Sequence, residues 1–154
     1  MTSFKRGDVV LANVVFTDGT STKKRPVIVV SGNKYHQERQ EIIVAAVSSN
    51  TKRTLFGDIL LQDWQQAGLL SPSTATGIFF TIKKNLVEKR IGTLTKADLD
   101  AVRKNIKKIM ELGDEQLEKK QMSISEAKKK IIPEKENPKK RKTNLKRPKA
   151  PKGH

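Results

Sequence analysis

The chain opens on a run of β-branched and apolar residues, Asp8 to Phe16 (Asp-Val-Val-Leu-Ala-Asn-Val-Val-Phe), with no helix cap ahead of it. Such a run favours a strand, and the Thr-Asp-Gly-Thr-Ser-Thr that follows supplies turn residues. Arg25 to Ser31 is continuously apolar after Pro26. It reads as a second strand buried on both faces, with the proline near its start, where a missing N–H is tolerated. Ser31-Gly32-Asn33 breaks it. Glu41 to Ser48 predicts a third strand, whose Ala45-Ala46 pair permits close approach of a neighbour and which ends in polar Ser48-Ser49-Asn50. Gly57 to Leu61 is a short fourth strand, and Gln62 to Leu69 is a helical turn closed by Gly68. Thr76 to Ile82 and Leu86 to Leu94 return as strands. Thr95 to Leu112 carries the strong helical pattern: Leu99, Val102, Ile106, Ile109 and Met110 recur at helical spacing, Thr95 caps the start with Asp98 three residues on, and Gly113 ends it. Short strands at close intervals and one terminal helix predict a mainly β barrel with α additions.

Beyond Gly113 the pattern fades. Leu117, Met122 and Ile124 are too sparse to form an apolar stripe, so a helical continuation over 114–130 would not dock on the core. All seven aromatic residues lie in the first 80 positions, while four of the six prolines lie beyond 130. Charge sharpens the division. The 154 residues hold 32 Lys and Arg against 16 Asp and Glu, a formal +16, with hydrophobic residues at only 35%. Residues 1–113 carry 18 basic against 10 acidic side chains and residues 114–154 carry 14 against 6, so each part is +8. Asn137 to His154 alone holds 8 basic residues and no acid. Like charges repel, and so little apolar surface cannot offset ordering entropy. Two domains are therefore expected: a folded unit at 1–113 and a charged, disordered tail at 114–154, strongly basic from 137. The tail is either a solubilising extension or an electrostatic arm for phosphates.

Several chemistries are excluded. With no cysteine there is no disulfide framework, thiolate metal site or Cys nucleophile. There is no GxGxxG, Walker loop, HExxH or paired Cys/His spacing, so neither a nucleotide cofactor nor a metal has a site to bind, and none is expected. The N-terminus lacks an apolar leader core and no stretch approaches the length of a spanning helix. A soluble, cytoplasmic protein without a membrane partner is expected.

Three pieces in order, Arg6-Gly7-Asp8-Val9-Val10-Leu11, Lys24-Arg25-Pro26-Val27-Ile28-Val29-Val30-Ser31 and Ile43-Val44-Ala45-Ala46-Val47-Ser48-Ser49, resemble the MazF/PemK family of toxin endoribonucleases. Phe80-Thr81-Ile82-Lys83-Lys84-Asn85-Leu86, leading into Leu94-Thr95 and a terminal helix, is similar to the family's closing pattern. The resemblance spans about Lys5 to Leu112 and leaves the tail uncovered. It implies an SH3-like β-barrel of the MazF/CcdB/PemK type forming a homodimer, metal-independent cleavage of single-stranded RNA, and an acidic antitoxin as partner. By position it makes Arg25 and Ser48 the catalytic residues. Cleavage by the RNA's own 2′-OH needs a proton acceptor, a proton donor and a cation for charge developing on the phosphoryl oxygens. A guanidinium offers planar bidentate donors to phosphate and is by itself a poor base. The resemblance implies that Arg25 also shuttles protons, and Ser48 would donate or relay a hydrogen bond.

One loop departs from the family. Gly19-Thr20-Ser21-Thr22-Lys23-Lys24 stands where a Ser-Glu-Gln-Gly-type loop is common, and Ser48 stands where Thr is commoner. Thr20, Lys23 and Lys24 on one loop, and Ser49, Lys52 and Arg53 on the other, are the expected RNA contacts. Against these readings stand an arginine in a surface salt bridge, an ordinary polar turn and solvated loop charges. Trp64, beside Leu60, Leu61 and Leu69, is read as core rather than a base-stacking platform, and His36 as a solvent-facing loop residue. Two other functions compete with the nuclease: a non-catalytic nucleic-acid-binding barrel that uses its basic tail, and a barrel of the CcdB type that poisons an enzyme by protein contact.

Overall fold

In the computed structural model, residues 3–15 and 19–113 are described. The readings of Phe16 and of the segment 114–154 lie outside them. The elements run β1 (Asp8–Val15), β2 (Thr22–Val29), α1 (Asn33–Glu38), β3 (Glu41–Ser48), β4 (Ile59–Leu60), β5 (Thr74–Lys83), β6 (Val87–Thr93) and α2 (Lys96–Met110), with a 3-10 turn at Lys84–Leu86 ahead of β6. The strands form one six-stranded antiparallel sheet in the order β4-β5-β3-β2-β1-β6. The fold is thus mainly β with a C-terminal helix, as expected.

Strand alternation divides the core between the two faces of the sheet. On one face Val9, Ile28 and Ala45 line up across β1, β2 and β3 and pack with Leu61, Leu69 and Val102 of α2. On the other, Val10, Val27, Val29 and Val44 pack with Phe4 and Ile42. The turn after β4 curls the sheet. Its Ala67 N–H bonds Asp63 O, and the backbone of Ala67 and Gly68 passes directly over β6. A Cβ on Gly68 would sit 2.0 Å from Ile91 O, and φ there is +78°. The segment leaving one edge strand therefore covers the other edge strand. Trp64 in this turn is half-buried against the first core cluster, in line with its reading as core.

The Asp98 carboxylate is 2% exposed and holds this turn to α2, accepting from Gln62 N at 3.1 Å and Asp63 N at 2.9 Å. Asp63 in turn accepts from Thr95 Oγ1 at 2.8 Å, while Thr95 caps α2 by accepting from Asp98 N. The helix stops at Met110, and Glu111 adopts the left-handed cap conformation (φ 54°), two residues before the glycine expected to end it.

Three expectations are corrected. The second strand begins at Thr22, not Arg25, because the polar Thr22-Lys23-Lys24 stretch continues pairing with β1. It is also not buried on both faces throughout: only Val27 to Val29 are buried, and Thr22 to Arg25 are exposed. Third, His36 is no solvent-facing loop residue. It lies on α1 and is 6% exposed. Its Nδ1 lies 3.0 Å from Phe4 O, which can only accept, so Nδ1 carries the hydrogen and Nε2 accepts from Ser31 Oγ at 2.6 Å. Burial lowers the His36 pKa, and the Lys84 and Arg6 charges push the same way against the raising effects of the Phe4 carbonyl and Asp8.

Candidate active site

Arg25 and Ser48 lie on the neighbouring strands β2 and β3. β2 and β3 pair at Val29↔Val44, Ile28↔Ala45 and Val27↔Ala46, and there the ladder ends. Arg25 and Ser48 each lie two residues beyond that last pair, on the faces of Val27 and Ala46, so the same register carried on would set them opposite each other. Pro26, which has no N–H to give, stands at the point where the strands part. β2 keeps its pairing with β1, where Arg25 faces Ala12, so Arg25 sits exposed on a hydrogen-bonded strand and not on a loose loop. β3 likewise continues against β5 on its other side, with Ser48 opposite the buried Thr74. The β3–β5 pairing is irregular here, between Ala45 and Val47 of β3, and Thr76 Oγ1 of β5 donates to Ala46 O at 2.8 Å.

Ser48 borders a cleft of about 290 Å³ with Asn50, Arg53, Phe56, Asp58 and Thr76. The loop leaving β3 is built from two successive side-chain turns: Ser48 Oγ accepts from Asn50 N at 3.1 Å, and Asn50 Oδ1 accepts from Lys52 N at 3.2 Å. The far wall is fixed by Asp58, whose two oxygens accept from Gly77 N at 3.0 Å and Leu55 N at 2.9 Å. The polar groups left over are mainly donors: the Ser48 hydroxyl hydrogen, the Asn50 amide and the Arg53 guanidinium.

The remaining expected contacts divide. Ser49, Lys52 and Arg53 are exposed on the loop after Ser48, and of these Arg53 borders the cleft. Lys23, two residues from Arg25, shares its face of β2. Thr20 is exposed in the preceding loop. Lys24 points to the opposite face, where its Nζ lies 2.7 Å from Glu88 Oε2 on β6. That hydrogen bond lowers the Glu88 pKa. Lys24 is therefore paired on the face opposite that of Arg25. Asn50, Phe56 and Asp58 escaped the sequence reading; the Ser-x-Asn and Asn-x-Lys spacings were the available signal for the first, while Phe56 and Asp58 reach the cleft through long-range contacts.

A family model described as the PemK-like, MazF-like toxin of type II toxin–antitoxin systems matches residues 5–110. No curated protein sequence matches the chain significantly. Among solved structures the chain is similar to MazF from Deinococcus radiodurans, at 16% identity over 73% of this chain and 100% of that one, with a TM-score of 0.59. It is similar to the Mycobacterium tuberculosis toxin MazF-mt6 at 21% identity over 68% and 97% of the two chains, TM-score 0.56. A third likeness is an endoribonuclease in complex with its cognate antitoxin from mycobacterial species, 16% identical over 70% and 95%, TM-score 0.57. Identities this low establish a shared fold, and the family model covers well over half of the chain. The chain belongs to the PemK-like, MazF-like toxin family of type II toxin–antitoxin systems.

Proposed function

We propose that this toxin is a sequence-specific, metal-independent endoribonuclease that cuts single-stranded mRNA in the cytoplasm, with Arg25 and Ser48 as its catalytic residues. The observation that supports the reading is that Arg25 and Ser48 lie on adjacent strands, each two residues beyond the last β2–β3 pair, with Ser48 bordering the cleft. A scissile phosphate between the two strands meets the Arg25 guanidinium on one side and the Ser48 hydroxyl on the other. The 2′-oxygen attacks phosphorus and the P–O5′ bond breaks; the 2′-OH proton leaves to a base and the 5′-oxygen gains one. Arg25 stabilises the charge on the phosphoryl oxygens and takes part in proton transfer, and Ser48 donates a hydrogen bond. Products are a 2′,3′-cyclic phosphate and a 5′-hydroxyl. Thr20, Lys23, Ser49, Lys52 and Arg53 guide the strand, while Lys24 contributes only long-range charge.

The toxin acts as a homodimer and is silenced by an acidic antitoxin lying over the same basic groove. Structural neighbours solved with their antitoxins support the second partner. A non-catalytic binding barrel is not favoured, since the family match covers residues 5–110 and not the basic segment on which that reading leans. The test is incubation with long single-stranded RNA in EDTA, with cut sites mapped by primer extension. Wild type gives discrete cuts and Arg25→Ala gives none; an intact RNA with wild type overturns the reading.

A further inference from the structure

Phe56 stands out on the rim of the cleft. The ring is 74% exposed, beside Leu55 and Ile78 of the same cleft, which are exposed as well, so the core of the described residues does not hold it there. Yet the loop that presents it is rigidly held against α2. Asn105 Nδ2 donates to Gly57 O, a Cβ on Gly57 would lie 2.9 Å from Ile109 Cδ1, and φ there is +93°. Asp58 pins the other side through Leu55 N and Gly77 N. The ring is thus pre-positioned, and Lys108 Nζ of α2 lies 5.1 Å from its centroid. Lys104, one turn back, is exposed on the same ridge, and neither lysine has an ion-pair partner among the described residues.

An exposed aromatic flanked by cations, opening onto a donor-rich cleft, is chemistry for a nucleotide. The ring stacks a base of any identity, and the ammonium groups meet the phosphate beside it. A purely apolar protein face would have to desolvate Lys108 and Lys104 without acids to pair them, which is costly; the acidic antitoxin proposed above would compete with RNA for the same cations. We propose that Phe56, with Lys108 and Lys104, forms a nucleotide-binding platform that takes single-stranded RNA as it leaves the Ser48 cleft. The platform fixes the strand's path along α2 and contributes affinity without touching the scissile phosphate. It rests on the endoribonuclease reading only for its location beside the cut site.

The experiment measures binding of an uncleavable 2′-O-methyl oligonucleotide by fluorescence anisotropy, in parallel with cleavage of the 2′-OH form, for full-length wild type, Phe56→Ala, Phe56→Trp and Lys108→Ala. Removal of one stacking ring is expected to weaken binding roughly ten-fold, with Phe56→Trp restoring it. Lys108→Ala should lower the slope of log K against log salt by about 0.7, one phosphate contact on a single strand. Because Phe56 is exposed and Lys108 lies on the surface of α2, all variants should keep the wild-type circular dichroism. Binding within two-fold of wild type by Phe56→Ala with an unchanged salt slope overturns the platform, as does a change in oligomeric state by light scattering with binding intact, which makes Phe56 a protein contact. If wild type binds through Phe56 but cuts nothing, the platform stands and the nuclease reading falls.

Discussion

Replacing Ser48 with alanine separates a catalytic hydroxyl from a turn-forming one. The Oγ accepts from Asn50 N at 3.1 Å in an exposed loop, where water can replace it. Losing that bond should cost under about 1 kcal/mol of stability. The hydroxyl hydrogen is donated to no group among the described residues, and it is the group proposed to meet the phosphate. Removing one preorganised donor from developing charge costs about 2.7–4 kcal/mol, or roughly 10²–10³ in kcat. Activity and stability are thus predicted to separate: Ser48→Ala should cut RNA at least about 100-fold more slowly while melting within a few degrees of wild type. Ser48→Thr keeps the oxygen and adds one methyl at a half-buried position, so it should retain most activity. The assay is single-turnover cleavage of a mapped oligonucleotide, beside thermal circular dichroism. Cleavage by Ser48→Ala within about five-fold of wild type, or a rate loss matched by a proportionate loss of folded protein, refutes the reasoning.

The other predictions concern the scaffold. Burial lowers the His36 pKa in the folded protein, so the unfolded chain binds the extra proton as pH falls below its ordinary 6.5. Stability from this residue is complete above that value and is lost as pH drops toward the lowered folded pKa; urea midpoints should fall between pH 7 and 5, with a flatter slope in His36→Gln. Asp98→Ala leaves Gln62 N and Asp63 N without their acceptor, so it should destabilise by about 2–4 kcal/mol, with Asp98→Asn costing less because one oxygen remains. Gly68→Ala places a Cβ on the Ile91 carbonyl at a positive φ, and a strong drop in melting temperature or in soluble yield is expected.

Elements whose order comes from local pattern were legible, and those made by distant partners were not. β1, β3 and β5 announce themselves by β-branched runs, and α2 by its Thr95 cap and apolar spacing. α1 is six residues, Asn-Lys-Tyr-His-Gln-Glu, with no side-chain cap; what keeps it is His36 reaching back to Ser31 and Phe4, contacts no local pattern encodes. Thr22 to Lys24 look like loop because their side chains are polar, yet their backbone finds β1. At the site, Arg25 and Ser48 are marked by motif alone; the β2–β3 ladder ends two residues before each of them. Lys24 cannot be told from Lys23 by composition. Strand alternation and Glu88 separate them.

The most direct test of Arg25-assisted attack by the RNA's own 2′-OH uses one oligonucleotide in two forms, all-ribose and carrying a single 2′-deoxy residue at the mapped cut site. Fragments are analysed by mass spectrometry. The all-ribose strand should yield a 2′,3′-cyclic phosphate and a 5′-hydroxyl with wild type, nothing with Arg25→Lys, and the 2′-deoxy strand should survive uncut. Cleavage of the 2′-deoxy strand, or fragments ending in 5′-phosphate, would contradict the mechanism.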